Sequence, residues 1–146
     1  MNDLENPIMH VLEAYKVAVF NKDVDAFMRL YGQDVRVFDA WGVWSYEGAA
    51  AWRGMIEGWF SSLGAERVKV TMDDVKIAGG QELAVVSAIV SYAGVSAEGE
   101  DLRAMQNRIT WALKPEGSGW KIVHEHTSAP VDFNDSKAIL QRQKAS

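Results

Sequence analysis

The sequence predicts an α+β fold: a curved antiparallel sheet wrapped around N-terminal helices, forming a cone with an internal pocket. Three observations carry this reading. Apolar residues recur at helical spacing early in the chain. After Gly64 the pattern changes to alternation and keeps it as far as Ser128. The order helix, helix, strand, helix and then four strands segregates the helices to one face of the sheet.

Asn6 and Pro7 read as the N-cap and first residue of a helix whose inward stripe is Ile8, Val11, Leu12, Tyr15 and Val19. Asp23 caps a short second helix with an apolar face of Val24, Phe27, Met28 and Tyr31, ended by Gly32 as a C′ glycine. Residues 35–39 read as a strand with Val35, Val37 and Asp39 on one face. Residues 40–48 are an aromatic loop or irregular strand, holding Trp41, Trp44 and Tyr46. Residues 49–63 form a third helix with Trp52, Ile56, Trp59 and Phe60 inward. Strands follow over 67–78, 82–93, 103–114 and 119–128, the first two joined by a hairpin at Gly79 and Gly80. No repeat or linker interrupts the chain, so residues 1–146 read as one domain with 131–146 a peripheral tail; 135–146 reads as a loose helix or as disordered.

Composition narrows the function. A chain of 146 residues supports one domain with one core. A net charge of −5 without a basic run argues against nucleic acid and against a membrane surface. The absence of cysteine excludes disulfides and thiolate metal sites. The opening MNDLENP lacks an apolar core and no apolar run can span a bilayer, so neither a signal peptide nor a membrane span is expected and the cytoplasm is the default location. Six tryptophans, four of them clustered between Trp41 and Trp59, ask for a large apolar concavity or interface. No nucleophile elbow, phosphate loop or dinucleotide fingerprint is present, so nucleophilic catalysis and cofactor-driven redox are unsupported and no cofactor is expected.

The stretch GWKIVHEHTSAP organises the rest. Plain alternation puts Trp120, Ile122, His124, His126 and Ser128 on one face, a wall suited to packing and polar contact in a pocket. Asp39 lies among Phe38, Trp41 and Trp44, where burial would raise its pKa and make it a base, unless it caps a turn or pairs with Arg36, Arg53 or Arg108. Tyr15 is either a core tyrosine or a donor to a ligand. Arg108 and Thr110 share a face; an inward arginine there would pair with Asp39 or bind an anionic ligand. Tyr46, Trp41, Trp52, Trp59 and Tyr92 complete the expected ligand wall. His124, His126 and Asp39 are the one plausible metal set, and no metal is expected. If helices cover one sheet face, the other carries Ile109, Trp111, Val123, Val85 and Ile89, and a homodimer through that outer face is expected.

This element order, together with GWKIVHEHTSAP, resembles the SnoaL-like branch of the nuclear transport factor 2-like superfamily, which includes ketosteroid isomerases, polyketide cyclases, scytalone dehydratase and the association domain of calmodulin-dependent kinase II. From Tyr15 to Gly48 the chain looks like the first half of the isomerases, with Tyr15, Asp23, Tyr31 and Asp39 in step. The resemblance implies that Asp39 is a proton-shuttling base and that Tyr15 donates to an enolate oxygen. It departs at the isomerases' third member, a protonated late-strand aspartate, because no acid lies between Arg103 and Lys114. A different oxyanion partner, or none, is implied.

Two functions follow as expectations. One is cofactor-independent acid–base chemistry on a small, mostly apolar carbonyl compound, as an isomerase, cyclase or dehydratase, with Asp39 as base and Tyr15 with His124 or Arg108 stabilising the enolate. The alternative is a non-catalytic ligand-binding or assembly module of the same fold.

Overall fold

The structure, a computed structural model, describes residues 5–142. Its elements are α1 (Glu5–Phe20), α2 (Val24–Met28), β1 (Tyr31–Phe38), β2 (Tyr46–Glu47), α3 (Ala49–Ser62), β3 (Arg67–Gly79), β4 (Ala84–Val95), β5 (Asp101–Glu116) and β6 (Gly119–Ser128). The six strands form one sheet in the order β2-β1-β6-β5-β4-β3. Every pair is antiparallel except β1 with β6, which run parallel. The expected α+β cone is therefore the observed architecture.

Curvature comes from extra residues in four strands, β1 carrying its own between Tyr31 and Arg36. β3 gains one between Asp73 and Lys76, where Asp74 turns left-handed with φ 53°. β5 gains one at Leu102, and β6 gains one at Val123. Each bulge bends its strand and strengthens the twist, so the sheet curls around the helices. α1 packs near β3 and α3 near β1. Between them and the sheet, Ile8, Leu12, Phe27, Ile56, Trp111 and Leu113 are fully enclosed. Burying each such side chain contributes about 1.5–3 kcal/mol.

Several local expectations need correction. α1 already includes Glu5, Asn6 and Pro7, so Asn6 is not the cap; Pro7 still lies in the first turn, where its missing N–H does no harm. α2 stops at Met28 with Arg29 as its cap, and Tyr31 and Gly32 belong to β1. The chain enters the sheet at once because the Ile122 amide donates to the Leu30 carbonyl at 2.8 Å. Gly32 does not have the positive φ of a C′ glycine. Residues 135–142 form no helix: a bridge joins Val131 to Ala138, and the Gln106 amide donates to the Leu140 carbonyl at 2.7 Å. Residues 143–146 lie outside the described residues.

The largest correction concerns which faces are which. Ile109 and Trp111 are 3% and 1% exposed and face the helices, not the outside. Arg108 and Thr110 are exposed on the outer face. The outer rows run Val85–Ala112–His124, Ser87–Thr110–His126 and Ile89–Arg108–Ser128, a mixed surface rather than an apolar one.

Candidate functional site

A cavity of about 430 Å³ opens between α1, α3 and the inner sheet face. Tyr15 reaches it from the buried stripe of α1. Asp39 reaches it from the end of β1, and Trp41 follows in the next loop. α3 contributes Trp52 and Trp59, and β4 contributes Tyr92. Six of the sequence-predicted site residues therefore line one space: Tyr15, Asp39, Trp41, Trp52, Trp59 and Tyr92.

Asp39 is paired with no arginine among the described residues. Its Oδ1 accepts from Thr127 Oγ1 at 3.1 Å and its Oδ2 from the Trp41 amide at 3.3 Å. Thr127 is itself fixed by the Ala40 amide, which donates to Oγ1 at 2.8 Å. Burial pushes the Asp39 pKa above its ordinary value, and the hydrogen bonds from Thr127, Trp41 and Ala40 hold it partly down. Tyr15 and Tyr92 join hydroxyl to hydroxyl at 2.8 Å. In such a pair one proton bridges the oxygens and the other is free for a ligand. Desolvation pushes both phenols well above the usual tyrosine range, so both stay protonated.

The other predicted residues stand elsewhere. Arg108 is exposed and donates from Nε to Ser128 Oγ at 3.0 Å, so it neither pairs with Asp39 nor enters the cavity. Thr110 and His126 are exposed neighbours on the outer face. His124 is half-buried there, its Nδ1 2.7 Å from the Arg36 carbonyl oxygen and its ring edge-on to Phe38. Tyr46 is not among the residues lining the cavity; its ring packs tilted against Trp52, with centroids 5.3 Å apart. The reason for the histidine error is the bulge. Ile122 pairs with Leu113 and His124 with Ala112, so Val123 is the additional residue. One extra residue reverses the parity of everything after it.

The same reversal brings in a residue that strand parity had turned away. Glu125 is 2% exposed and lines the cavity. Tyr31 Oη donates to its Oε1 at 2.5 Å and Trp111 Nε1 donates to the same oxygen at 2.9 Å. Desolvation raises its pKa from 4.5 to about 7 against the pull of those two donors, and the Asp39 charge adds to the rise. Asn107, 5% exposed, also lines the cavity. A signal for Glu125 existed in β5. Ile109, Trp111 and Leu113 alternate against Arg108, Thr110 and Ala112, which marks the inner set, and Trp111 pairs with Glu125. Cross-strand partners share a face.

Among the described residues no group of three or more histidine and carboxylate side chains is placed to hold a metal. No helix among them is long and apolar enough to cross a membrane.

Comparison with known proteins places this architecture. The chain is similar to an NTF2-like protein of unknown function from Pseudomonas putida KT2440, with TM-score 0.83 and 21% identity, covering 97% of this chain and 96% of that one. It is similar to an NTF2-like protein with a cystatin-like fold from Novosphingobium aromaticivorans, with TM-score 0.71 and 17% identity over 85% and 80% of the two chains. It is also similar to Aln2 from a Streptomyces species, with TM-score 0.77 and 9% identity over 88% and 91%. At these identities the likeness is one of fold. No curated protein matches the sequence. The family model described as the SnoaL-like domain matches residues 8–132, and with that match spanning most of its length, the chain belongs to the SnoaL-like domain family.

Proposed function

We propose that the cavity binds a small, mostly apolar carbonyl compound and that Asp39 moves a proton next to the carbonyl, without a cofactor, as an isomerase, cyclase or dehydratase does. The observation that carries this reading is Asp39 itself: a carboxylate at the cavity wall, raised in pKa by burial and paired with no cation among the described residues. Asp39 takes the proton from the carbon α to the carbonyl. The C–H electron pair moves into the new carbon–carbon double bond, and the carbonyl oxygen becomes an enolate oxygen. Tyr15, through its shared pair with Tyr92, donates to that oxygen. Glu125 takes the part that His124 or Arg108 cannot take from the outer face. Below its pKa of about 7 it is neutral, and with both protein donors on Oε1 its own proton belongs on Oε2. Return of the first proton to another carbon is isomerisation; loss of a β-hydroxyl as water is dehydration.

The test is deuterium exchange at the α-carbon of para-hydroxyacetophenone, followed by NMR in heavy water. Wild-type protein accelerates the exchange, and Asp39→Asn loses about 10²–10⁴-fold of that acceleration. The variant melts at the same temperature or higher, because no arginine is left stranded. Exchange no faster than in buffer rejects proton transfer and leaves the same cavity as a non-catalytic binding module.

We also propose that a second copy packs on the outer sheet face, where Val85 is 40% exposed and Ile89 and Val123 are half-buried. Val85→Glu then yields monomer in sedimentation with an unchanged fold. A dimer that survives this substitution has its interface elsewhere.

A further inference from the structure

We infer that the hydroxyl which meets the ligand's carbonyl oxygen is that of Tyr92, with Tyr15 behind it as a positioning residue. This rests on the reading of the cavity as a carbonyl site and names the group that touches the reacting oxygen. Tyr15, to which the isomerase resemblance gives that contact, is 2% exposed, and its ring packs against Phe27 and Trp111 with centroids 5.2 and 5.4 Å away. Tyr92 is half-buried. It continues the inner row of β4 after Val86, Ala88 and Val90, lines the cavity, and has the Trp59 ring centroid 6.0 Å from its own.

The hydrogen bond between the two phenols has a direction. Each phenol has one proton to place, and a buried hydroxyl without an acceptor is disfavoured. Among the described residues the Tyr15 hydroxyl has one partner, the Tyr92 oxygen at 2.8 Å. Glu125 lies near enough for its charge to act on Tyr15, but it takes its hydrogen bonds from Tyr31 and Trp111. If Tyr92 donated to Tyr15, the Tyr15 proton would have to reach a ligand through the 2% of that residue left exposed. Tyr15 therefore donates to Tyr92, and the Tyr92 proton is the one left for the cavity. The bond eases ionisation of Tyr92 and opposes that of Tyr15, as a bond donated by Tyr15 does. The Asp39 charge also acts on the Tyr92 phenol, so base and donor face the same space. An oxygen that gains negative charge there draws on Tyr92 directly, and Tyr15 strengthens Tyr92 as a donor.

The probe is para-nitrophenol, whose anion stands in for the enolate oxygen and is read by its visible absorbance. It is titrated into Asp39→Asn protein, where the neutral amide stands for the protonated Asp39 that an enolate would face. Adding Tyr92→Phe weakens binding of the anion by about tenfold or more, as loss of a hydrogen bond to a charged group does. Adding Tyr15→Phe weakens it by about threefold or less, because the Tyr92 donor remains. Without ligand and with Asp39 intact, Tyr92→Phe melts lower than Tyr15→Phe, since it leaves the buried Tyr15 hydroxyl without its acceptor. Equal losses of anion binding, a larger loss from Tyr15→Phe, or melts in the reverse order overturn the inference. An anion that does not bind overturns it together with the carbonyl-site reading. If Tyr92→Phe alone weakens the anion while wild-type protein fails to accelerate deuterium exchange, proton transfer by Asp39 falls and Tyr92 stands as the donor to a bound oxygen.

Discussion

Glu125 shows what one buried carboxylate does to the whole protein's response to pH. Its folded-state pKa of about 7 lies above its ordinary 4.5. Between those values the folded protein holds a proton that the unfolded chain has released. The contribution of Glu125 to stability is therefore greatest below pH 4.5, falls as pH rises through the interval, and levels off above about 7. The total loss is on the order of 3 kcal/mol. Glu125→Gln keeps the shape and the acceptor for Tyr31 and Trp111 while removing the titration. Thermal melts across this range should show the variant more stable than wild type at the alkaline end and nearly flat above pH 4.5. A shallow slope remains from Asp39, whose pKa burial moves in the same direction. A wild-type curve that rises with pH would place Glu125 in its ionised form throughout and remove it as a proton donor.

At the scale of elements, α1 and α3 are legible because their apolar stripes are strict. Ile8, Leu12, Tyr15 and Val19 on one helix, and Trp52, Ile56 and Phe60 on the other, are the residues the structure buries. Strand existence is equally legible, since alternation sets in soon after Gly64 and each expected strand is present within a few residues of its bounds. Face assignment is not, and the reason is physical. Alternation counted along β6 alone starts correctly at Trp120 and Ile122 and fails after Val123, because a bulge is an event of pairing and has no mark of its own in the strand that carries it. Reading β6 through β5 corrects it: Ile109 pairs with Thr127 and Trp111 with Glu125, so the indole that must be buried takes the carboxylate inside with it. The same reading sends Arg108 outward to Ser128 and removes the ion pair with Asp39 that the sequence left open as an alternative. Asp39 and Tyr15 were legible one by one because the irregularity in β1 lies before Arg36, leaving the alternation of Val35, Val37 and Asp39 intact, and because α1 is an unbroken helix. The pairing of Tyr15 with Tyr92 was not, since it joins residues 77 apart that only the closed cone brings together.

The cone as a whole brings Asp39 and Glu125 to one apolar space, and the energetic relation between them is the property that only the assembled molecule has. Asp39 raises the pKa of Glu125 through its charge, whereas the rise at Asp39 itself comes from burial. The order of ionisation explains the asymmetry: Asp39 loses its proton while Glu125 is still neutral, and Glu125 must then ionise against an existing charge. An environment that separates two carboxyl groups in this way supplies a base and an acid at the same pH. A double-mutant cycle measures the relation directly. Asp39→Asn and Glu125→Gln each remove one desolvated charge, and each also removes the repulsion between the two. The double variant relieves that repulsion once, so above the Glu125 pKa its gain in stability should fall short of the sum of the single gains, by about 0.5–3 kcal/mol. At pH 4.5, where Glu125 is neutral in the folded protein, the shortfall should vanish. Urea unfolding of the four proteins at the two pH values provides the comparison. Additive gains at both would mean that the carboxylates do not sense one another, and the division of labour between an Asp39 base and a Glu125 acid would lose its electrostatic basis.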